Sequence, residues 1–313
     1  MTKKFLIFSK PYNDKSGGVI ALHKLASILN DLGYEAYLLR LFRDHIITRG
    51  DIIKPLYRVA KSITESWPPY KLNPHFNTQV LKNPPKEFGS DWIVIYPEII
   101  FDNPLQAENV VRWMLYKPAF HNRYKFFHLG KNEYHIDFND FSRDYVFPDI
   151  FKSNLKLNVV HFPHDHYNMN GALPDKERSG TAYCMRKGKM KIIVHDLNDS
   201  NLIDDEPHSV VASLFKRVKT FISYDSHTAY SSFAVLCGAE SVVIPDENVS
   251  GEQWYPENKR YGVAYGFKEL PWARETTHLL LDEIKRQEQD SIENVRSFAV
   301  EALNHFSVDI PKN

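Results

Sequence analysis

The stretch KFLIFSKPYNDKSGGVIALHKLASILNDLGYEAYLL, residues 4–39, reads as a strand, a glycine-containing turn, a helix and a second strand. KFLIFS is a short apolar run. Val19, Leu22, Leu25, Ala26 and Leu29 recur at helical spacing, Gly33 stands where a helix would end, and AYLL resumes a strand pattern. A strand–helix–strand order with a right-handed crossover implies a parallel sheet, so the chain is expected to be α/β from its first residues.

The pattern continues outward. DWIVIYPE predicts a buried strand and NPLQAENVVRWML a helix opening at Asn103 and Pro104. Further strands are expected at KFFHL and LNVVHFP, and residues 44–86, rich in Pro and Tyr, read as irregular. Turn-forming residues crowd 167–180, which marks 169–180 as a linker between a first domain, 1–168, and a second, 181–313. After it the pattern restarts: strands at TAYCMRKG and KIIVHD, a helix at EPHSVVASLFKRV, the strand TFISY, a helix over 227–237 and the strand SVVIP. The last helix is expected to pack back on the first domain. Two α/β units without an internal repeat predict two Rossmann-like domains facing across a cleft.

Composition narrows the function. Among 313 residues, 39 Lys and Arg balance 39 Asp and Glu, which argues against a general nucleic-acid binder. The two cysteines, Cys184 and Cys237, are too few for a disulfide framework and sit in apolar surroundings, which points to buried thiols and a cytoplasmic protein. The start MTKKFLIFSKPYND is apolar for too few residues to be a signal peptide, and no run approaches the roughly 20 apolar residues of a membrane span.

The candidate site residues fall beside the predicted strand ends. Gly17 and Gly18 follow the first strand; two glycines let backbone amides approach a phosphate or sugar, or supply a turn with positive φ. Arg186 and Lys187 follow the first strand of the second domain and are candidates to neutralise a leaving diphosphate. In SYDSHTAYSSFAVLCGAESVVIPD, residues 223–246, a helix start is surrounded by Tyr224, Asp225, Ser226, Thr228, Tyr230 and Ser231, a set able to hold a diphosphate through backbone amides and hydroxyls or merely to cap and pack. Glu98 ends a buried strand, where an acid can orient an acceptor hydroxyl or act as general base, or else pair with Arg112. Trp254 and Tyr255 are candidates to stack on a sugar or base.

With these residues in view, the chain resembles the GT-B glycosyltransferases, in particular bacterial surface-polysaccharide enzymes of the retaining, sugar-nucleotide-dependent class. The SGGV loop, the crossing from HFPHDHYN to SGTAYCMRKGK, and the block before Cys237 and Gly238 carry the resemblance. In that block the family pattern has two glutamates eight positions apart; Asp225 stands at the first and Phe233 at the second. The resemblance implies transfer of a sugar from a nucleotide-sugar donor to a glycan or lipid-linked glycan acceptor in O-antigen, lipopolysaccharide or capsule synthesis. It implies catalysis without a metal or other cofactor, and a cytoplasmic enzyme at the inner face of the membrane. A metal-dependent hydrolase built on His161, His164, Asp165 and His166 is the alternative, weakened because Pro163 occupies a ligand position. A non-catalytic carbohydrate-binding relative is the other.

Overall fold

The computed structural model describes residues 3–41, 69–100, 102–116, 133–139 and 150–307. Two compact units emerge, one formed by Met1–His161 with Glu288–Asn313 and the other by Phe162–Gln287.

In the first unit, β1 (Lys4–Ser9), β2 (Ala36–Arg40), β3 (Trp92–Pro97), β4 (Val110–Met114), β5 (Tyr134–Asp137) and β6 (Phe151–Lys156) form one sheet in the order β2-β1-β3-β4-β5-β6. All five pairings are parallel. α1 (Gly17–Asp31) links β1 to β2. Strands covered on both faces need apolar residues at every position, and β3 is buried throughout. Alternate residues divide between two cores. Phe5, Ile7, Ile93, Ile95, Val111 and Trp113 pack with Leu22, Leu25 and Leu29 of α1. Leu6, Phe8, Val94 and Tyr96 pack on the opposite face with Phe88, Ile100 and Ala107.

NPLQAENVVRWML is not a helix. Asn103 closes a turn by accepting from the Ala107 N–H (2.9 Å) and donating to the Ala107 carbonyl (2.7 Å), and VVRWM is β4. Its five residues are all buried between β3 and β5, so tertiary packing and the β-branched pair override the helical spacing. LNVVHFP carries no strand; the sheet ends one segment earlier, at β6. KFFHL, and residues 42–68 of the stretch read as irregular, lie outside the described residues.

The second unit holds β7 (Thr181–Cys184), β8 (Ser200–Leu202), α2 (His208–Phe215), β9 (Thr220–Ser223), α3 (Tyr230–Leu236), β10 (Glu240–Val243), α4 (Gly251–Trp254), β11 (Val263–Tyr265), α5 (Leu270–Thr276) and the first turns of α6 (Leu280–His305). Its sheet is also parallel, in the order β11-β10-β9-β7-β8. KIIVHD is a loop rather than a strand; β8 forms downstream of it. Both cysteines are buried and free, and burial pushes each thiol up to about 11.

Residues 169–180 belong to this second unit instead of linking two domains. Arg178 fastens them: its guanidinium donates to the carbonyls of Leu173 (3.0 Å), Phe215 (3.0 Å) and Cys237 (2.7 Å). That contact also explains the Cys-Gly pair. Gly238 ends α3 with φ 86°, and a Cβ there would lie 2.5 Å from Arg178 Nη2. From Glu288 onward α6 belongs to the first unit, where Val295, Phe298, Ala299 and Ala302 join the α1 face of the core. Among the described residues, no helix is long and apolar enough to cross a membrane.

Candidate active site

A parallel sheet offers a ligand crevice where neighbouring strands lead their loops in opposite directions. Each sheet has one such point: between β1 and β3 in the first unit, and between β7 and β9 in the second. Glu98, Gly17 and Gly18 lie at the first. Arg186, Lys187 and residues 224–231 lie at the second.

At the second point, Asp204 accepts from two successive backbone amides, Met185 (3.0 Å) and Arg186 (2.9 Å). Arg186 is held at φ 37°, a left-handed conformation that a side-chain-bearing residue seldom adopts. Its guanidinium lies over the Tyr230 ring, 4.4 Å from the centroid, and its Nε is buried without a hydrogen-bond partner. Lys187 is exposed. Gly188 seats this loop on the loop after β9: a Cβ at position 188 would lie 2.0 Å from the Tyr224 carbonyl oxygen. Lys191 ties the same two loops to the end of β10 by contacting Asp246 (2.7 Å), Ser226 Oγ (3.0 Å) and the Ile244 carbonyl (2.6 Å). Burial alone would raise Asp246, but hydrogen bonds from Lys191 and Ser226 hold it below the ordinary carboxylate value.

Many of the hydroxyls expected to face a ligand are engaged inside the protein. Ser226 Oγ donates to Asp246, and the Ser226 carbonyl accepts from Trp254 Nε1 (2.7 Å). Tyr224 Oη accepts from the Val194 N–H (2.8 Å) and meets His195 Nδ1 at 2.8 Å. Tyr230 is buried beneath Arg186. Ser231 is buried, and its Oγ has no hydrogen-bond partner.

The helix expected from 227 begins at Tyr230, with Ala229 as its cap. Asp225 accepts from the His227 N–H (3.0 Å) and Thr228 Oγ1 from the Tyr230 N–H (3.4 Å); such local side-chain bonds compete with helix formation. Phe233 is core, stacked on Tyr167 at 4.3 Å. Trp254 is also core, stacked on Tyr265 at 4.7 Å, and Tyr255 packs beside it at 5.0 Å, so this pair serves packing.

At the first point, Glu98 follows β3 and is 7% exposed. It does not pair with Arg112, whose guanidinium is instead held by Glu133 (2.6 and 3.1 Å) and the carbonyls of Ile100 (2.7 Å) and Asp102 (2.8 Å). Among the described residues, the Glu98 carboxylate accepts only from backbone N–H groups, its own and that of Leu115, the latter meeting Oε2 at 3.2 Å. Burial, with no cationic partner among the described residues, pushes the Glu98 carboxyl up to about 7.

The Leu115 side chain reaches 3.5 Å from where a Gly18 Cβ would stand, so Glu98 and the glycine pair share a neighbour. α1 opens at Gly17 with no side-chain cap and no acid in its first turn. Neither Gly17 nor Gly18 has a positive φ, and nothing lies within 4 Å of a Cβ at Gly17. The pair leaves the amides at the helix start open to an approaching oxygen; it is not required by the turn.

The histidine-rich segment is engaged in ring packing. His161 meets Phe76 edge-on at 4.8 Å, and His166 stacks on His208 at 6.2 Å. Among the described residues, no group of three or more His, Cys, Asp or Glu is placed to hold a metal ion. Asp204, Lys191 and Asp246 were missed by sequence reasoning. Asp246, directly after an apolar strand ending in Pro, carried the one usable signal.

No protein-family model matches the sequence, and no curated protein matches it. Among solved structures, phage T4 BGT in complex with its UDP-glucose substrate is similar over 98% of this chain and 100% of that one, at 12% identity and a TM-score of 0.40. A glycosyltransferase from Rickettsia africae ESF-5 is similar over 98% of this chain and 96% of its own, at 10% identity and TM-score 0.35. A sucrose-phosphate synthase from Thermosynechococcus elongatus covers 96% of this chain and 97% of its own, at 12% identity and TM-score 0.33. With identities and TM-scores this low, function rests on the residues of this chain.

Proposed function

We propose that the chain is a glycosyltransferase that moves a sugar from a nucleotide-sugar donor to a glycan acceptor. The observation that carries this reading is Arg186, set by Asp204 and Tyr230 beside exposed Lys187 at the switch point of the second sheet. Two cations at that place suit the diphosphate of a sugar nucleotide and the charge that grows on it as it leaves. Gly188, Lys191 and Asp246 hold the surrounding loops in register. Thr228 and the backbone amides of Asp225, Ser226, Thr228 and Ala229 are the remaining donor-side candidates, the His227 N–H being taken by Asp225; Tyr224, Ser226 and Tyr230 act as supports.

In the reaction, an acceptor hydroxyl oxygen bonds to the anomeric carbon as the bond from that carbon to the diphosphate breaks. The electron pair leaves with the nucleoside diphosphate, and the transition state has oxocarbenium character. Glu98, at the first unit's own switch point, is suited to take a proton from an acceptor hydroxyl. A carboxyl titrating near 7 is matched to that task at neutral pH. The open start of α1 at Gly17 and Gly18 binds acceptor oxygens.

Arg186 and Lys187 supply the positive charge in place of a divalent cation, so the reading includes metal-independent turnover. A surface polysaccharide or its lipid-linked precursor, met at a membrane face, is the acceptor class this reading favours. The test is release of nucleoside diphosphate from a panel of UDP-, GDP- and ADP-sugars in the presence of chelator. Release from one of them, accelerated by a glycan acceptor, supports the reading; no release from any, with or without added divalent metal, overturns it.

A further inference from the structure

Tyr224 grips the loop between β7 and β8 at two places. Its backbone carbonyl lies against Gly188, where a Cβ would stand 2.0 Å from the oxygen. Its side chain is fully buried, and its hydroxyl meets the Val194 N–H and His195 Nδ1, both at 2.8 Å. The His195 ring lies against two tyrosines, with centroids 4.6 Å from Tyr183 and 5.7 Å from Tyr224. The titratable groups that face it among the described residues are therefore Tyr183 of β7, Tyr224 after β9, and Asp196 of its own loop. Asp196 is turned to its own backbone, accepting from the Asn198 N–H at 2.9 Å.

These contacts fix where the ring proton sits. The Tyr224 oxygen accepts the Val194 N–H, so its single O–H proton needs an acceptor, and among the described residues His195 Nδ1 is the atom placed to be one. Nδ1 is then bare. The proton is on Nε2, which is buried and, among the described residues, has no hydrogen-bond partner. A second proton has no place in this arrangement, because an Nδ1–H would point at the Tyr224 O–H and deprive it of its acceptor. Burial holds the ring's pKa below the ordinary imidazole value, against the opposing charge of Asp196.

We infer that neutral His195 is a positioning residue for the donor site: through Tyr224 it sets the loop that carries Arg186 and Lys187, and a proton on its ring releases that loop. Arg186 and Lys187 open the loop and His195 lies eight positions beyond Lys187, so the fastening they share is Tyr224. Lys191, between them, is tied separately to Asp246 and Ser226, so release loosens the loop without detaching it. The inference rests on the donor reading of Arg186 and Lys187.

The experiment is calorimetric titration of UDP, GDP and ADP in chelator, at about pH 8 and about pH 5, on either side of the imidazole range. It is run on the full wild-type chain, on His195→Gln and on His195→Phe. Glutamine keeps an acceptor for the Tyr224 O–H and takes no charge; phenylalanine keeps the ring and offers no acceptor. The nucleotide that binds the wild type at the higher pH is expected to bind about fivefold or more weakly at the lower one. His195→Gln should keep the wild-type affinity at the higher pH and lose most of that pH dependence, whereas His195→Phe should bind about fivefold more weakly at the higher pH. Protonation of the nucleotide is common to all three chains, so the difference between wild type and His195→Gln isolates the ring. In the wild type, the ring nitrogen chemical shifts of His195 should show a proton on Nε2 and none on Nδ1. Parallel pH profiles in wild type and His195→Gln, wild-type affinity in His195→Phe, or a proton on Nδ1 near pH 8 would each overturn the positioning role and leave the donor site standing. Binding of none of the three nucleotides to the wild type would overturn the donor reading, and the positioning role with it.

Discussion

The two switch points share a topology and differ in how their charged groups are treated. In the first unit Glu98 is buried with, among the described residues, only backbone N–H groups bonded to it, and burial pushes its carboxyl up to about 7. In the second, charges are given partners: Lys191 with Asp246, the Arg186 backbone with Asp204, and the Arg186 guanidinium with the Tyr230 face. The contrast separates two uses of charge. An unpartnered buried acid changes protonation near neutrality and can move a proton, whereas a supported cation stays charged and holds an anion still.

The largest expected effect follows from Glu98. Glu98→Gln should lower the transfer rate by about 10² to 10⁴-fold, the usual worth of a general base, while binding of nucleoside diphosphate is unchanged. In the wild type the rate should fall as pH drops through about 7 and the carboxylate is protonated. Stability should move the other way. Between the ordinary value of 4.5 and about 7 the folded chain holds more protons than the unfolded one, so stability is lost as pH rises through that window. Glu98→Gln removes this slope and should stabilise the chain by about 1 to 3 kcal/mol above neutral pH, read by denaturant titration. A wild-type transfer rate in the variant would remove Glu98 from the chemistry.

Gly188→Ala should come next. A Cβ placed 2.0 Å from the Tyr224 carbonyl oxygen has to push two loops apart, at a cost of about 1 to 3 kcal/mol in thermal or denaturant unfolding. Nucleotide affinity should fall with it, because the same packing positions Arg186. Unchanged stability with unchanged affinity would mean that the two loops are not locked together.

The smallest effect sharpens the comparison. Ser226 Oγ is occupied by Asp246 and Lys191, so Ser226→Ala should cost about 1 kcal/mol of stability and leave nucleotide affinity nearly untouched. A large loss of affinity at constant stability would return Ser226 to the ligand side.

Much of the α/β order was legible in the sequence, because parallel strands covered on both faces write themselves as continuous apolar runs: FLIF, WIVIY and SVV all became strands. β4 was hidden for the converse reason, since VVRWM with its flanking residues also satisfies helical spacing and only its neighbours decide the matter. Of the candidate site, Glu98, Arg186 and Lys187 are readable as polar residues after strands. Their supports are not. Asp204 and Lys191 are distant in sequence from what they hold, and the left-handed backbone of Arg186 has no signature in its side chain. For the hydroxyl-rich segment 223–231 composition leaves ligand binding and packing both open; hydrogen bonds within the protein occupy the Tyr224 and Ser226 hydroxyls, and composition cannot show that.

The central claim is that the second unit holds a nucleoside diphosphate through Arg186 and Lys187. Calorimetric titration of UDP, GDP and ADP into the full chain in chelator, repeated with the doubly substituted Arg186→Ala, Lys187→Ala chain, tests it most directly. The account predicts that one of the three binds the wild type, and that the double substitution weakens this binding by about 100-fold while thermal unfolding stays within about 1 kcal/mol of wild type. Equal affinity for the two chains, or no binding of any of the three to the wild type, would contradict it.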